Sequence, residues 1–330
     1  MTRHLYIFIL LFLLSGCIRE EQYDNSPKGN FEALWKIMDE GYCFFDYKDI
    51  DWDAVYRKYQ PLITDDMSQN GLFEVLGNML AELKDGHVNL YSTSDMSRYW
   101  SWREDYPRNF DILTIENRYL GNTYRIAGGM KYTILEDNIG YVYYESFSAG
   151  VSDSNLDEML AYFAPCNGLI FDVRDNGGGT LTYAERIAAR FTNEKIHTGY
   201  IMHKTGPGHN EFSQPEPQYI EPSNRIRWQK PVAVLTNRSV YSAANEFVNA
   251  MRYMPNAILI GDHTGGGAGL PFTSELPNGW GVRFSASPHL DAEKKHIEFG
   301  IEPDIKVDLT TLTLDDDIIE EARKTLKNMQ

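Results

Sequence analysis

An α/β fold is expected from three features of this 330-residue chain. Apolar residues recur at helical spacing before residue 84. From Ile139 onward, short buried-strand patterns alternate with helical ones. Two of those alternations are sharp strand–turn–helix units, at 168–191 and 231–251. Alternating strands and helices favour a mostly parallel sheet with helices packed on it. The expected architecture is therefore an α/β core preceded by a small helical subdomain.

The N-terminus carries a targeting pattern. Arg3 and His4 precede the apolar run Leu5–Leu14, which is too short to span a bilayer and matches a signal-peptide core, so 1–16 is expected to be a signal peptide. Leu14-Ser-Gly-Cys17 resembles a bacterial lipobox, which implies cleavage before Cys17 and acylation of that cysteine. An ordinary secretory signal with an incidental Cys17 is the alternative. Ile18 follows the cysteine, and by resemblance to Gram-negative lipoproteins this implies the outer membrane. Residues 17–28 are then a polar, lipidated tether.

Residues 29–92 are expected to form the helical subdomain. Phe31, Leu34, Trp35 and Met38 make one stripe, and Leu72, Phe73, Val75, Leu76, Met79, Leu80 and Leu83 another. Asp51 is a plausible cap for a helix beginning at Trp52. Residues 93–138, rich in Tyr, Trp and Arg, are expected to be a β-rich connecting segment. The core, 139–312, has strands near 139–146, 168–173, 232–236 and 257–261. Helices near 151–163, 180–192 and 242–254 connect them, with a long excursion at 193–230. Residues 313–330 form a C-terminal helix.

The composition, 42% hydrophobic and 24% charged, is that of a globular protein. A net charge of −16 excludes nucleic acid as a partner, since phosphate binding needs a basic footprint. After acylation only Cys43 and Cys166 remain. Both read as core or turn residues, and an exported compartment permits a disulfide between them. No metal or cofactor motif is present: His296 and Glu298 lack the H-E-x-x-H pattern and a third ligand.

Two turns carry candidate chemistry. Val232–Leu235 is a short buried strand, and Ala244, Phe247, Val248 and Met251 then recur at helical spacing. Ser242 therefore lies at a helix N-terminus, where free N–H groups and the dipole favour developing negative charge. On the residues alone two readings stand: a nucleophile on a strand–turn–helix elbow, or an N-cap at Ser242 or Ser239. The second turn is Arg174-Asp-Asn-Gly-Gly-Gly179, after the strand 168–173. Its glycines let backbone approach a ligand and aim N–H groups at it. A nucleotide-phosphate site lacks support, because G-x-G-x-x-G and the Walker lysine are absent.

Six segments, in order, resemble the S41 peptidases, the tail-specific or C-terminal-processing proteases. They are Leu83-Lys-Asp-Gly-His87, Asp172-Val-Arg-Asp-Asn-Gly-Gly-Gly179, Tyr241-Ser-Ala-Ala244, Gly261-Asp-His-Thr-Gly265, Leu276-Pro-Asn-Gly279 and Glu298-Phe-Gly-Ile-Glu-Pro-Asp304. The resemblance covers roughly 30–92 and 139–310, and implies a crotonase-like (ClpP/crotonase) αβ-superhelix core. Many members carry a PDZ module after the histidine. Here only about fifty residues separate His87 from Ile139, fewer than that module needs. The chain is thus similar to the PDZ-lacking, tricorn-like branch.

The resemblance also implies roles. A serine needs a base. Processing proteases place a lysine in the T-x-G-K loop, but here that loop reads Thr264-Gly-Gly-Gly267. The tricorn-like branch uses the D-G-H histidine with a glutamate, which match His87 and Glu298. That branch has a serine before its histidine, where this chain has Gly86. His263 is a rival base on physical grounds alone, and Glu298 is alternatively a solvated carboxylate. The oxyanion donors implied are the N–H groups of Ala243 and of Gly178 or its neighbour Gly177.

The expected function is an exported, lipid-anchored serine endopeptidase acting on unfolded or short polypeptides through an acyl-enzyme. Its partners are a polypeptide substrate and, through the lipid, a membrane; oligomeric state is not legible. A catalytically inactive peptide- or ligand-binding lipoprotein on the same fold is the alternative from another class, and an esterase is a third.

Overall fold

The computed structural model describes residues 23–308 and 315–329. The signal peptide, the lipobox with Cys17 and the start of the tether lie outside the described residues.

The N-terminal helices begin where side chains satisfy free backbone donors. Ser26 Oγ accepts from the Gly29 N–H at 3.0 Å to start the helix Pro27–Gly41, whose leading proline lacks only an N–H that the first turn leaves unused. Asp51 accepts from the Ala54 N–H at 2.8 Å and starts Trp52–Tyr59. Ser68 does the same for Gln69–Ala81. Phe31, Leu34, Trp52, Leu72 and Leu76 pack between them.

Among the described residues thirteen strands follow in chain order. They are β1 Asn89–Tyr91, β2 Met96–Ser97, β3 Arg125–Ala127, β4 Met130–Ile134 and β5 Ile139–Tyr144. Then come β6 Gly168–Asp172, β7 Ile196–Ile201, β8 Glu216–Ile220 and β9 Val232–Thr236. The last are β10 Ala257–Gly261, β11 Gly269–Glu275, β12 Gly281–Asp291 and β13 Ile305–Lys306.

The main sheet has the order β13-β10-β9-β6-β5-β4-β3. It is parallel from β13 to β5, and β4 and β3 add an antiparallel edge. Its central strands β5, β6 and β9 are buried throughout, as parallel strands covered on both faces must be. Along β6 the alternation sorts the core. Leu169 and Phe171 pack with Ile187 and Phe247 of the connecting helices, while Ile170 packs with Ile318, Ile319 and Leu326 of the C-terminal helix Asp317–Asn328. The connecting helices Asp153–Tyr162, Leu181–Ala188 and Ala243–Met251 start within about two residues of their expected positions.

The second sheet is antiparallel, in the order β2-β1-β12-β7-β8, with β11 also on β12. The excursion 193–230 supplies β7 and β8 of this sheet. Residues 93–138 are less uniformly β than expected: helical turns at Ser101–Glu104, Ile112–Thr114 and Ile115–Leu120 interrupt the short strands. The N-terminal helices are not closed on themselves, because Leu276, Val282 and Phe284 complete their core. Cys43 and Cys166 are both free and buried in different cores, so they form no disulfide. Among the described residues no helix is long and apolar enough to cross a membrane.

Candidate active site

Ser242 follows β9 and precedes the first turn of the helix Ala243–Met251, with φ 57° and ψ −125°. A non-glycine residue in this region costs about 1–3 kcal/mol, so surrounding bonds must hold it there. The Ser242 N–H donates to the Gly266 carbonyl at 2.8 Å, and the Tyr241 N–H to the Asn176 carbonyl at 3.1 Å. The hydroxyl does not cap the helix. Its Oγ lies 3.0 Å from His87 Nε2 instead.

His87 sits in the turn that leads into β1, and β1 is pinned to β12. Asp85 Oδ1 accepts the His87 N–H at 2.8 Å and closes the turn. The imidazole is buried, which pushes its pKa down to about 4 against the pull of the Asp85 charge. It is therefore neutral at neutral pH, the state a general base requires. Nδ1 is buried without a protein partner. Gly86 precedes it because space is short: a Cβ there would lie 2.6 Å from Trp102 Nε1 and 2.9 Å from the Tyr241 hydroxyl. Trp102 stacks on Tyr241 at 4.0 Å and occupies the room a serine would need.

Glu298 is buried near this pair, but no hydrogen bond joins it to His87. Its Oε1 lies 2.8 Å from Lys48 Nζ, and its Oε2 accepts the Ala268 N–H at 2.8 Å. The same ammonium lies 3.3 Å from Asp85 Oδ2, which also accepts from the hydroxyls of Tyr42 at 2.9 Å and Ser285 at 3.0 Å. Burial pushes Glu298 up to about 7; Lys48 opposes that shift and the Asp85 charge adds to it. Asp85 stays below the ordinary carboxylate range: burial opposes its ionisation, but Lys48 and His87 outweigh it. Burial disfavours the Lys48 charge, yet the two carboxylates raise its pKa. Glu298 thus reaches His87 through a Lys48–Asp85 relay of charge.

The glycine run lies against Ser242. Gly178 has φ 96°, and a Cβ on it would come within 2.8 Å of Ser242 Cβ and 2.9 Å of the Ala243 nitrogen. The Ala243 N–H, at the first helical position, is a donor that the helix leaves without a carbonyl. The Gly178 N–H is differently placed from the expectation: it donates to Asn176 Oδ1 at 2.9 Å. It becomes an oxyanion donor only by exchanging that acceptor. The charged members of this segment brace it. Arg174 is fully buried, 2.7 Å from Asp172 and 2.9 Å from Asp316.

His263 is held elsewhere, with Nδ1 3.1 Å from Arg238 Nη1 and Nε2 3.8 Å from Glu302. His296 stacks on Tyr47 at 4.0 Å. Among the described residues no group of three or more His, Cys, Asp or Glu is arranged to hold a metal ion. Sequence reasoning missed Lys48 and Trp102. The available signal for Lys48 was a lone lysine beside the buried aromatics of Tyr42-Cys-Phe-Phe45; its ammonium sits 5.4 Å from the Phe44 ring centre. A cavity of about 210 Å³ opens beside Ser242.

Comparison with known proteins bears on this geometry. The profile described as peptidase family S41 matches residues 138–307, and that of the tricorn protease C1 domain matches 23–81. The carboxy-terminal processing protease CtpA of Bacillus subtilis is 26% identical over 176 residues, 53% of this chain and 36% of CtpA. A protein of Chlamydia trachomatis is 30% identical over 118 residues, 33% of this chain and 20% of that protein. The chain thus spans well under two thirds of these curated relatives. Among solved structures, a candidate peptidase from Parabacteroides merdae is 60% identical with a TM-score of 0.87, covering 92% of this chain and 97% of that one. Mature CPAF complexed with lactacystin has a TM-score of 0.66 at 12% identity, covering 92% and 97%. The tricorn protease has 0.57 at 15%, covering 92% of this chain and 37% of its own. At such identities the last two speak to the fold alone.

Proposed function

Because the chain belongs to peptidase family S41, we propose that it is a serine endopeptidase working through an acyl-enzyme, with Ser242 as nucleophile and His87 as base. The observation that carries this reading is the 3.0 Å contact between Ser242 Oγ and His87 Nε2 at a strained helix N-terminus.

Ser242 Oγ attacks the scissile carbonyl while its proton passes to His87 Nε2. The carbonyl π-electrons move to oxygen, and the oxyanion takes the Ala243 N–H as one donor. Gly178 supplies the second after releasing Asn176. Collapse breaks the C–N bond, and the imidazolium returns its proton to the leaving amine. Water then attacks the ester, again with its proton going to His87, and the acid is released as Ser242 recovers its hydrogen. Asp85 stabilises the imidazolium by its charge; Lys48 holds Asp85 ionised, and Glu298 anchors the Lys48 ammonium.

The substrate is an unfolded or short polypeptide bound in extended form. Among the described residues β11 pairs only with β12, so its other edge is available to a peptide backbone next to the cavity that Gly269 and Leu270 line. The N-terminal segment extends the reading to location. Leu14-Ser-Gly-Cys17 followed by Ile18 supports a lipid on Cys17 and residence at the bacterial outer membrane. Cys17→Ser should release the protein from the membrane fraction or block its processing; an unmodified mature N-terminus elsewhere would overturn the anchor.

The reading of the activity is tested by labelling with a serine-directed fluorophosphonate and by peptide turnover. The wild type should show both, and Ser242→Ala neither. A folded wild-type protein that binds peptides but neither labels nor cleaves would establish the inactive binding lipoprotein instead.

A further inference from the structure

The cavity beside Ser242 has a polar end. Leu181, Glu246 and His289 border both this space and a second one of about 60 Å³, which Glu185 and Asn249 also line. Glu246 Oε1 lies 2.9 Å from His289 Nδ1. Asn249 is 3% exposed and donates its amide to the Thr198 carbonyl at 2.9 Å, yet its Oδ1 is buried without a protein partner. His289 Nε2 is likewise buried and unpartnered. Leaving a buried acceptor unsatisfied is unfavourable, so Asn249 Oδ1 favours a ligand that donates.

At the polar end two carboxylates and an amide oxygen face one imidazole. Burial opposes protonation of His289, but Glu246 and Glu185 favour it; burial raises the Glu185 pKa, His289 opposes that, and the Glu246 charge adds to it. Arg283 also lines the space beside Ser242, and its charge acts on His87 and Tyr241. Ala243, Ala268, Leu270 and Pro271 give the same space apolar wall. Glu246 lies one helical turn beyond Ser242. At 1.5 Å per residue the separation along the axis is about 6 Å, within reach of an extended lysine or arginine side chain.

We propose that this two-chambered cavity is the subsite for the side chain on the acyl side of the scissile bond, and that it takes lysine or arginine. The inference rests on the peptidase reading above. The methylenes lie along the apolar walls, and the cationic tip donates to Glu246, Glu185 and Asn249 Oδ1. Selectivity is thereby confined to one position of a substrate otherwise held by its backbone.

The test is a series of fluorogenic peptides alike except at that position, carrying Lys, Arg, Leu or Glu, with fluorophosphonate labelling of Ser242 run in parallel. The wild type should favour Lys and Arg over Leu and Glu by at least tenfold in kcat/KM. Glu185→Gln combined with Glu246→Gln, checked for folding by thermal melting, should reduce the Lys-to-Leu ratio at least tenfold. The wild-type series stands alone if the double variant does not fold. A wild type that labels but prefers Leu, or shows no preference, overturns the subsite and leaves the peptidase reading standing. A Lys preference unchanged in the folded double variant also overturns it. Absence of both labelling and turnover overturns the peptidase reading, and the subsite with it.

Discussion

Lys48 Nζ and Glu298 Oε1 lie 2.8 Å apart, with side chains only 5% and 4% exposed. A lysine from the helical N-terminal part thus neutralises a carboxylate of the catalytic core, and the same ammonium serves Asp85 two residues before His87. Removing one member of a buried pair leaves the other charge uncompensated, which costs about 3–5 kcal/mol.

Lys48→Met should accordingly lose about 3–5 kcal/mol in urea unfolding. Adding Glu298→Gln should recover part of that loss, because the stranded carboxylate is gone. The Lys48 charge also helps to hold His87 unprotonated, so the acid limb of kcat/KM should move to higher pH in Lys48→Met. A variant with unchanged stability and an unchanged pH profile would refute the relay.

The pH dependence has two opposing parts. His87 is lowered from 6.5 to about 4, so the folded state binds fewer protons than the unfolded one across that window. Its contribution is present above 6.5 and lost as pH falls towards 4. Glu298 is raised from 4.5 to about 7, so its contribution is present below 4.5 and lost as pH rises through 7. The slopes oppose between 4.5 and 6.5. Stability of His87→Gln should therefore fall with rising pH there, and that of Glu298→Gln should rise. Wild-type activity should persist to near pH 4. Equal slopes in the two variants would contradict these assignments.

At the nucleophile, Ser242→Gly should abolish turnover yet raise stability by about 1 kcal/mol, since glycine relieves the positive φ. His87→Ala should lower kcat by at least about 10²-fold, whereas His263→Ala should stay within a few fold. If His263→Ala proved the crippling change, the base would have to be reassigned.

What the sequence made legible follows burial. Gly168–Asp172 and Val232–Thr236 are covered on both faces, so an unbroken apolar run was enough to find them. Ser242 and His87 stand in short motifs whose local geometry is self-contained. The strands of the second sheet were harder. Pro217 interrupts β8, and β11 carries Pro271 and the exposed Phe272, which break the alternation. Lys48 was not legible because its burial needs partners from two distant segments, those of Asp85 and Glu298. For the same reason Glu298 was expected beside His87 rather than on Lys48. Nor does the motif disclose that Asn176 takes the Gly178 amide, since only the folded loop brings the two into that bond.

Arg174 should prove structural rather than catalytic. Arg174→Met strands Asp172 and Asp316 in the interior and should cost about 3–5 kcal/mol, read by chemical denaturation. Hydrogen exchange should quicken in the helix Asp317–Asn328, whose N-cap is Asp316. Intact protection of that helix would show that the pair does not dock it.

A substrate read through its backbone should not depend on a free C-terminus. In matched peptides, free acid against amide, kcat/KM should differ by less than about tenfold, or about 1.4 kcal/mol. Arg98 and Arg103 already lie over the Trp100 ring, at 5.3 and 5.1 Å. A hundredfold preference for the acid would show that arginines clamp the carboxylate nonetheless.

The Arg174–Asp316 pair also sets an order of events during synthesis. A ribosome delivers Ser242, His87 and Lys48 well before Asp316, so the nascent chain holds the whole reacting pair while the guanidinium beneath the glycine loop still lacks its second counter-charge. The glycine loop over Arg174 therefore completes its charge pairing only once the segment that carries Asp316 is in place.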